Sequence, residues 1–136
     1  MSVSPEPVGL ANARRFLLGY FSDELDEVVH LLSDDVTYTV PGHMAVSGVF
    51  HGPKEVKEHL TRLLAFSLST FDVLKWVDWL VGETHVAVLQ YAQVQAHGSI
   101  YRGHQLYVVE VDADDRLSDI KVFFEDQEAA ARFFAP

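Results

Sequence analysis

Residues 34–52, "DDVTYTVPGHMAVSGVFHG", decide how the chain is read. Asp34 and Asp35 lead into an alternating run, Val36 to Val40, whose β-branched residues predict a strand. The strand stops at Pro41-Gly42, a turn signal. Gly48 and Gly52 follow, and Pro53 suits the first position of a helix. A strand that ends at Pro-Gly and opens into a loop builds the rim of a pocket. His43 stands at that rim, and Val40 is the last residue before it.

Working outward, residues 8–20 predict a helix, with Leu10, Ala13, Phe16, Leu17 and Tyr20 near one face at spacings of three and four. A second helix is expected over "SDELDEVVHLL", capped by Ser22 or Asp23, with Leu25, Val28, Val29 and Leu32 as its buried stripe. A third starts at Gly52-Pro53 and carries Val56, Leu60, Leu63 and Leu64. After Ser69 the pattern changes. "TFDVLKWVDWLVG", "THVAVLQYAQVQA", "SIYRGHQLYVVEVD" and "RLSDIKVFFED" are four strand-like runs joined by short turns at Gly82-Glu83, His97-Gly98 and Asp112 to Asp115. Links this short make antiparallel hairpins. "QEAAARFFA" predicts a short terminal helix. Helices first and a meander after them give an α+β domain. Its sheet, curved and mostly antiparallel, wraps around three N-terminal helices and leaves a pocket on its concave face. Residues 1–7 are expected to be a flexible leader and 8–136 one domain.

Composition narrows the function classes. The chain has 136 residues, 49% of them apolar, which is enough for a real core. No apolar run approaches the ~20 residues of a membrane span, and the start has no signal-peptide pattern. There is no cysteine, which excludes disulfides, thiolate nucleophiles and thiolate metal sites. The expected location is the cytoplasm. A formal charge of −10 disfavours nucleic acid and anionic membranes as partners. The acids sit mostly in "SDELDE", "VDADD" and "FEDQE", which read as solvated runs. Seven histidines show neither HxH nor HExxH spacing, so neither a metal nor a cofactor is expected.

The acid pair, the alternating strand, Pro-Gly and "G…GPKEV" together resemble the nuclear transport factor 2-like superfamily, over about residues 8–130. More narrowly the chain is similar to SnoaL-like and ketosteroid-isomerase-like bacterial proteins. The resemblance implies a cone-shaped fold with a ligand pocket. It does not fix a reaction, because one fold hosts many activities. Matched without gaps, the isomerase's general base falls on Val40, its oxyanion-binding tyrosine on Phe16 and its protonated aspartate on Tyr107. Valine takes no proton, so Val40 is expected to be pocket wall and steroid isomerisation is not expected. The same matching turns Val88, Gln90, Ala92 and Val94 inward, with Gln105, Tyr107, Val109, Ile120, Val122 and Phe124. No carboxylate stands among them, whereas SnoaL-type cyclases and limonene-epoxide-hydrolase-type enzymes rely on inward aspartates.

The catalytic candidates are therefore His43, Asp78 and Tyr107. Asp78 lies between Val77 and Trp79 and either replaces the missing acid or points to solvent; Trp76 and Trp79 have opposite parity, so alternation leaves its direction open. His43 carries an imidazole that can take up a proton and is either a general base or an exposed loop residue. Tyr38 and Tyr107 are pocket donors or backbone-bonded core residues. Inward Gln90 and Gln105 need each other, water or a ligand. The expected cavity, between the first helix and the sheet, is lined by Phe16, Tyr20, Tyr38, Val40, Gln90, Gln105, Tyr107 and Phe124, with His43 at its rim. Such a lining suits a small, apolar, uncharged carbonyl or hydroxyl compound and cofactor-free isomerase, cyclase, lyase or hydrolase chemistry. The alternative is a non-catalytic binding or dimerisation module. Leu89, Tyr91, Leu106, Val108 and Phe123 take the other parity. That second apolar face predicts a homodimer through the outer sheet.

Overall fold

A computed structural model describes residues 8–19, 24–67, 71–96 and 98–135. Tyr20, Ser22, Asp23, His97 and the proposed leader 1–7 lie outside the described residues. Helix α1 spans Val8–Gly19 and α2 Leu25–Val28, the latter continued by a 3-10 turn over Val29–Leu31. Strands β1 (Leu32–Val40) and β2 (Gly48–His51) precede α3 (Gly52–Ser67). Then come β3 (Asp72–Val81), β4 (His85–Ala96), β5 (Ser99–Val111), β6 (Leu117–Phe124) and α4 (Gln127–Phe133). The six strands form one sheet in the order β2-β1-β6-β5-β4-β3. The architecture is α+β, with a curved, mostly antiparallel sheet.

The β3-β4-β5-β6 meander is antiparallel throughout, as its short links require. The pairing of β1 with β6 is parallel, a long-range contact that local sequence does not announce. The second helix is shorter than expected, because Leu32 and its successors join β1 instead. Part of the expected loop after Pro41 is the short strand β2, which folds back on β1 and sets Tyr38 opposite Phe50. The start of α3 is closed locally: Gly52 has φ +82°, a conformation that favours glycine, and the His51 N–H donates to the Glu55 carboxylate at 3.0 Å.

Burial alternates along the central strands as expected. Val88, Gln90, Ala92 and Val94 on β4, and Gln105, Tyr107 and Val109 on β5, are buried. Leu89, Tyr91, Leu106 and Val108 are half-buried on the opposite face, and Phe123 is exposed there. β3 breaks alternation at two register shifts, Val73/Lys75 and Trp76/Asp78. The second shift lets Trp76 pair with inward Gln90 and Trp79 with inward Val88, although their spacing is odd. The two indoles stack with centroids 5.6 Å apart. Such a bulge changes the face on which the following residues point.

Helix α1 buries Ala13, Phe16 and Leu17. It approaches the Val111 end of the sheet: a Cβ on Gly9 would lie 2.3 Å from Val111 Cγ1, and the Asn12 amide donates to the Asp115 carbonyl at 2.7 Å. Helix α3 covers β1 with Val56 and Leu60, both fully buried. No helix among the described residues is long and apolar enough to cross a membrane.

Candidate functional site

One enclosed apolar cavity lies under α3. Tyr38 and Val40 of β1 form one side, and Val94, Tyr107, Val122 and Phe124 of β4, β5 and β6 form the floor. His59 and Leu63 of α3 close the top, with Val46, Phe71 and Phe134 around them. The volume is about 20 Å³, the room of a water molecule.

The loop that shapes the rim is held by hydrogen bonds. Gly42 has φ +100°, and a Cβ there would lie 1.9 Å from the Gln127 amide nitrogen. That amide donates to the Pro41 carbonyl at 3.0 Å, and Ser47 Oγ donates to the same oxygen at 3.1 Å. The Met44 N–H in turn donates to Ser47 Oγ at 3.0 Å. The first residue of α4 thus ties the Pro-Gly turn to the base of the cavity's Phe134 wall.

Among the described residues, three polar side chains reach the cavity. Tyr38 is 1% exposed. Burial, and secondarily the neighbouring Tyr107 phenol, push its hydroxyl well above the usual phenol range, so it stays a neutral donor. Tyr107 stands across the floor, also buried. His59 is 4% exposed. Its ring stacks on Phe50 with centroids 4.0 Å apart and 19° between planes, and lies 5.5 Å from the Tyr38 ring. Burial first, then the Arg62 charge, lowers its pKa from 6.5 to about 4. At neutral pH it is an uncharged imidazole, one nitrogen donating and one accepting. It forms no hydrogen bond with a described residue. No carboxylate of a described residue lines the cavity.

The residues proposed from sequence divide. Tyr38, Val40, Tyr107 and Phe124 line this cavity. Phe16 is fully buried in the core cluster and is not part of the lining, because α1 packs towards the opposite end of the sheet. The cavity's helical wall is α3, not the first helix. Gln90 and Gln105 are buried but closed on each other, Gln90 Nε2 donating to Gln105 Oε1 at 3.0 Å. Tyr20 lies outside the described residues. His43 is exposed on the rim loop, while Val46 of the same loop faces inward. Asp78 is exposed and pairs in register with Leu89, on the outer face. Of the three catalytic candidates, only Tyr107 reaches the cavity.

His59 is a polar wall residue that stands outside the candidates drawn from sequence. Its signal was positional: Val56, His59, Leu60 and Leu63 recur at helical spacing, which puts the imidazole inside the apolar stripe. Phe134 and Val46 had no comparable signal, since each depends on where a loop or terminal helix folds back. Among the described residues no three of His, Asp and Glu gather to hold a metal ion.

The fold is shared with solved structures of low sequence identity. Bal32a, from a soil-derived mobile gene cassette, superposes with a TM-score of 0.86 at 17% identity, covering 94% of this chain and 97% of that one. A nuclear transport factor 2-like protein of Burkholderia xenovorans gives 0.80 at 13%, covering 94% and 96%. A putative SnoaL-like polyketide cyclase from Jannaschia gives 0.79 at 12%, covering 100% and 99%. No curated protein matches the chain. The fold is that of nuclear transport factor 2-like structures; the model of the SnoaL-like domain matches residues 13–120, and the chain therefore belongs to the SnoaL-like family.

Proposed function

We propose that the cavity takes a small, largely apolar compound by an uncharged carbonyl or hydroxyl group, and that His59 moves a proton on it without a cofactor. One observation carries this: a buried, neutral imidazole without a hydrogen-bond partner among the described residues faces a cavity that also holds two phenols. The ring nitrogens are not sealed away, since His59 also lines an open groove, so a ligand hydroxyl or carbonyl can reach an imidazole nitrogen that no described residue occupies. In the step envisaged, the unprotonated ring nitrogen takes a proton from the carbon beside a carbonyl. The C–H electron pair becomes the new C=C bond, and the carbonyl π pair moves to oxygen, where Tyr38 and Tyr107 donate. Return of the proton to the same or another carbon completes an exchange or an isomerisation. A pKa of about 4 keeps the nitrogen available at neutral pH but makes it a weak base. With Val40 at the strand end, steroid isomerisation is expected to be undetectable or very weak.

The room, about 20 Å³, favours a second reading, a binding module without catalysis. Anything larger than water requires the side chains at the mouth to shift. Acetophenone in deuterium oxide separates the two. Proton transfer predicts protein-dependent exchange of its methyl protons, lost in His59→Phe. Binding without exchange leaves the module.

A second copy of the chain is the partner proposed for the outer sheet face, where Leu80 is 54% and Phe123 40% exposed and Leu89 and Leu106 lie between them. A monomer mass in light scattering at micromolar concentration would count against it.

A further inference from the structure

Given a ligand in the cavity as proposed above, we infer that this ligand is amphipathic: its apolar body enters the cavity and an acidic group stays outside, on Arg62. The cavity does not end at His59. An open groove of about 200 Å³ adjoins it, lined by Ala45, Val46, His59, Arg62, Leu63 and Phe134. Val46, His59, Leu63 and Phe134 also line the cavity, so the two spaces share a wall.

Among the described residues, Arg62 is the one charged side chain in that groove. It follows His59 by three residues on α3 and so faces the same side of the helix. It is exposed and makes no ion pair with a described carboxylate. Glu58, one turn earlier, borders a separate groove with Arg62, Lys54 and Lys57 on the outer side of α3, and no ion pair joins Glu58 to Arg62. The chain carries twenty acidic residues against ten basic ones. An unpaired guanidinium beside an acid-free apolar groove is therefore a distinctive spot in this molecule. Its planar fork fits a carboxylate, and its aliphatic stem can lie along apolar surface while the charge stays in water.

The volumes agree with this division. The cavity holds little, and the groove offers about ten times the room. A ligand oxygen at Tyr38 and Tyr107, an apolar body passing His59 and an acid at Arg62 would use both spaces. The preference for an uncharged group then applies to the buried end alone. There is also a consequence for chemistry. A carboxylate at Arg62 offsets the positive charge that helps hold His59 unprotonated, so the imidazole becomes a stronger base when the site is occupied.

The test uses para-acetylbenzoate and its methyl ester, which differ in charge and hardly in shape. Calorimetry at low salt compares the intact chain with Arg62→Gln, Arg62→Lys and Arg116→Gln, a cation in the β5–β6 turn. The acid should bind about fivefold tighter than the ester to the intact chain and to Arg116→Gln. Salt should shrink the advantage. Arg62→Gln should abolish it and Arg62→Lys keep part of it. Equal binding of acid and ester, or an acid preference that survives Arg62→Gln, overturns the inference and leaves the cavity as a neutral-ligand site. If neither compound binds the intact chain, the cavity reading falls, and this one with it.

Discussion

At the centre of the sheet, Gln90 donates to Gln105 at 3.0 Å, and the two residues sit directly opposite in the β4–β5 register. On the α3 wall, His59 is buried almost as deeply, 4% exposed against 1% for Gln90, yet it bonds to no described residue. Both places bury polar atoms, and both cost free energy to desolvate. The amide pair recovers that cost inside the fold. The imidazole stacks on Phe50 and leaves its nitrogens open to the cavity and the adjoining groove. A polar group closed on its own partner belongs to the architecture. One left open towards a cavity is available to whatever enters it.

The largest effect expected from this difference is on stability in acid. His59 has its pKa lowered from 6.5 to about 4. Between those values the unfolded chain takes up a proton that the folded chain refuses, so stability falls as pH drops through that window. The full loss is about 3 kcal/mol. Urea unfolding at pH 7 and pH 4.5 should show most of it in the natural chain, and His59→Phe should lack that share. Parallel pH profiles for the two would mean that the imidazole is not held uncharged by burial.

Breaking the other side of the comparison should cost somewhat less. Gln90→Leu strands the Gln105 amide and should destabilise by about 2 kcal/mol. Adding Gln105→Leu should restore much of that, and a double-mutant cycle by denaturation reads the coupling. If the double variant is as unstable as the sum of the singles, the pair is not self-contained. Smaller again, Tyr107→Phe should weaken acetophenone binding by about 1 kcal/mol, measured by calorimetry. Smallest is Asp78→Asn. An exposed outer-face residue should shift stability by less than about 0.5 kcal/mol and leave proton exchange untouched. A large loss of exchange in that variant would return Asp78 to the site.

Much of the fold was legible because it is local. The hairpin turns at Gly82-Glu83 and Asp112 to Asp115 fix the meander, and the match to the resembled family turned Tyr107 and Gln105 to the face that is buried. The Gly52-Pro53 start of α3 and the stripe of Val56 and Leu60 were equally plain. What failed to show was non-local. The parallel contact of β1 with β6 joins segments about eighty residues apart. The placement of α1 depends on Gly9 fitting against Val111, so Phe16 went to the core and not to the cavity. The opposite parity of Trp76 and Trp79 was the visible trace of the β3 bulge, and it is that bulge which carries Asp78 to the outer face. At the site, Tyr38 and Val40 followed from their shared strand face, and Tyr107 and Phe124 from the resemblance. The α3 residues did not, because an apolar stripe alone does not say which sheet surface it will cover.

If His59, and not His43, meets the ligand, nitrogen-detected NMR of the histidine rings during an acetophenone titration will show it. The His59 ring nitrogens should shift saturably, with those of exposed His43 nearly still. A saturable shift at His43 while His59 stays fixed would contradict it.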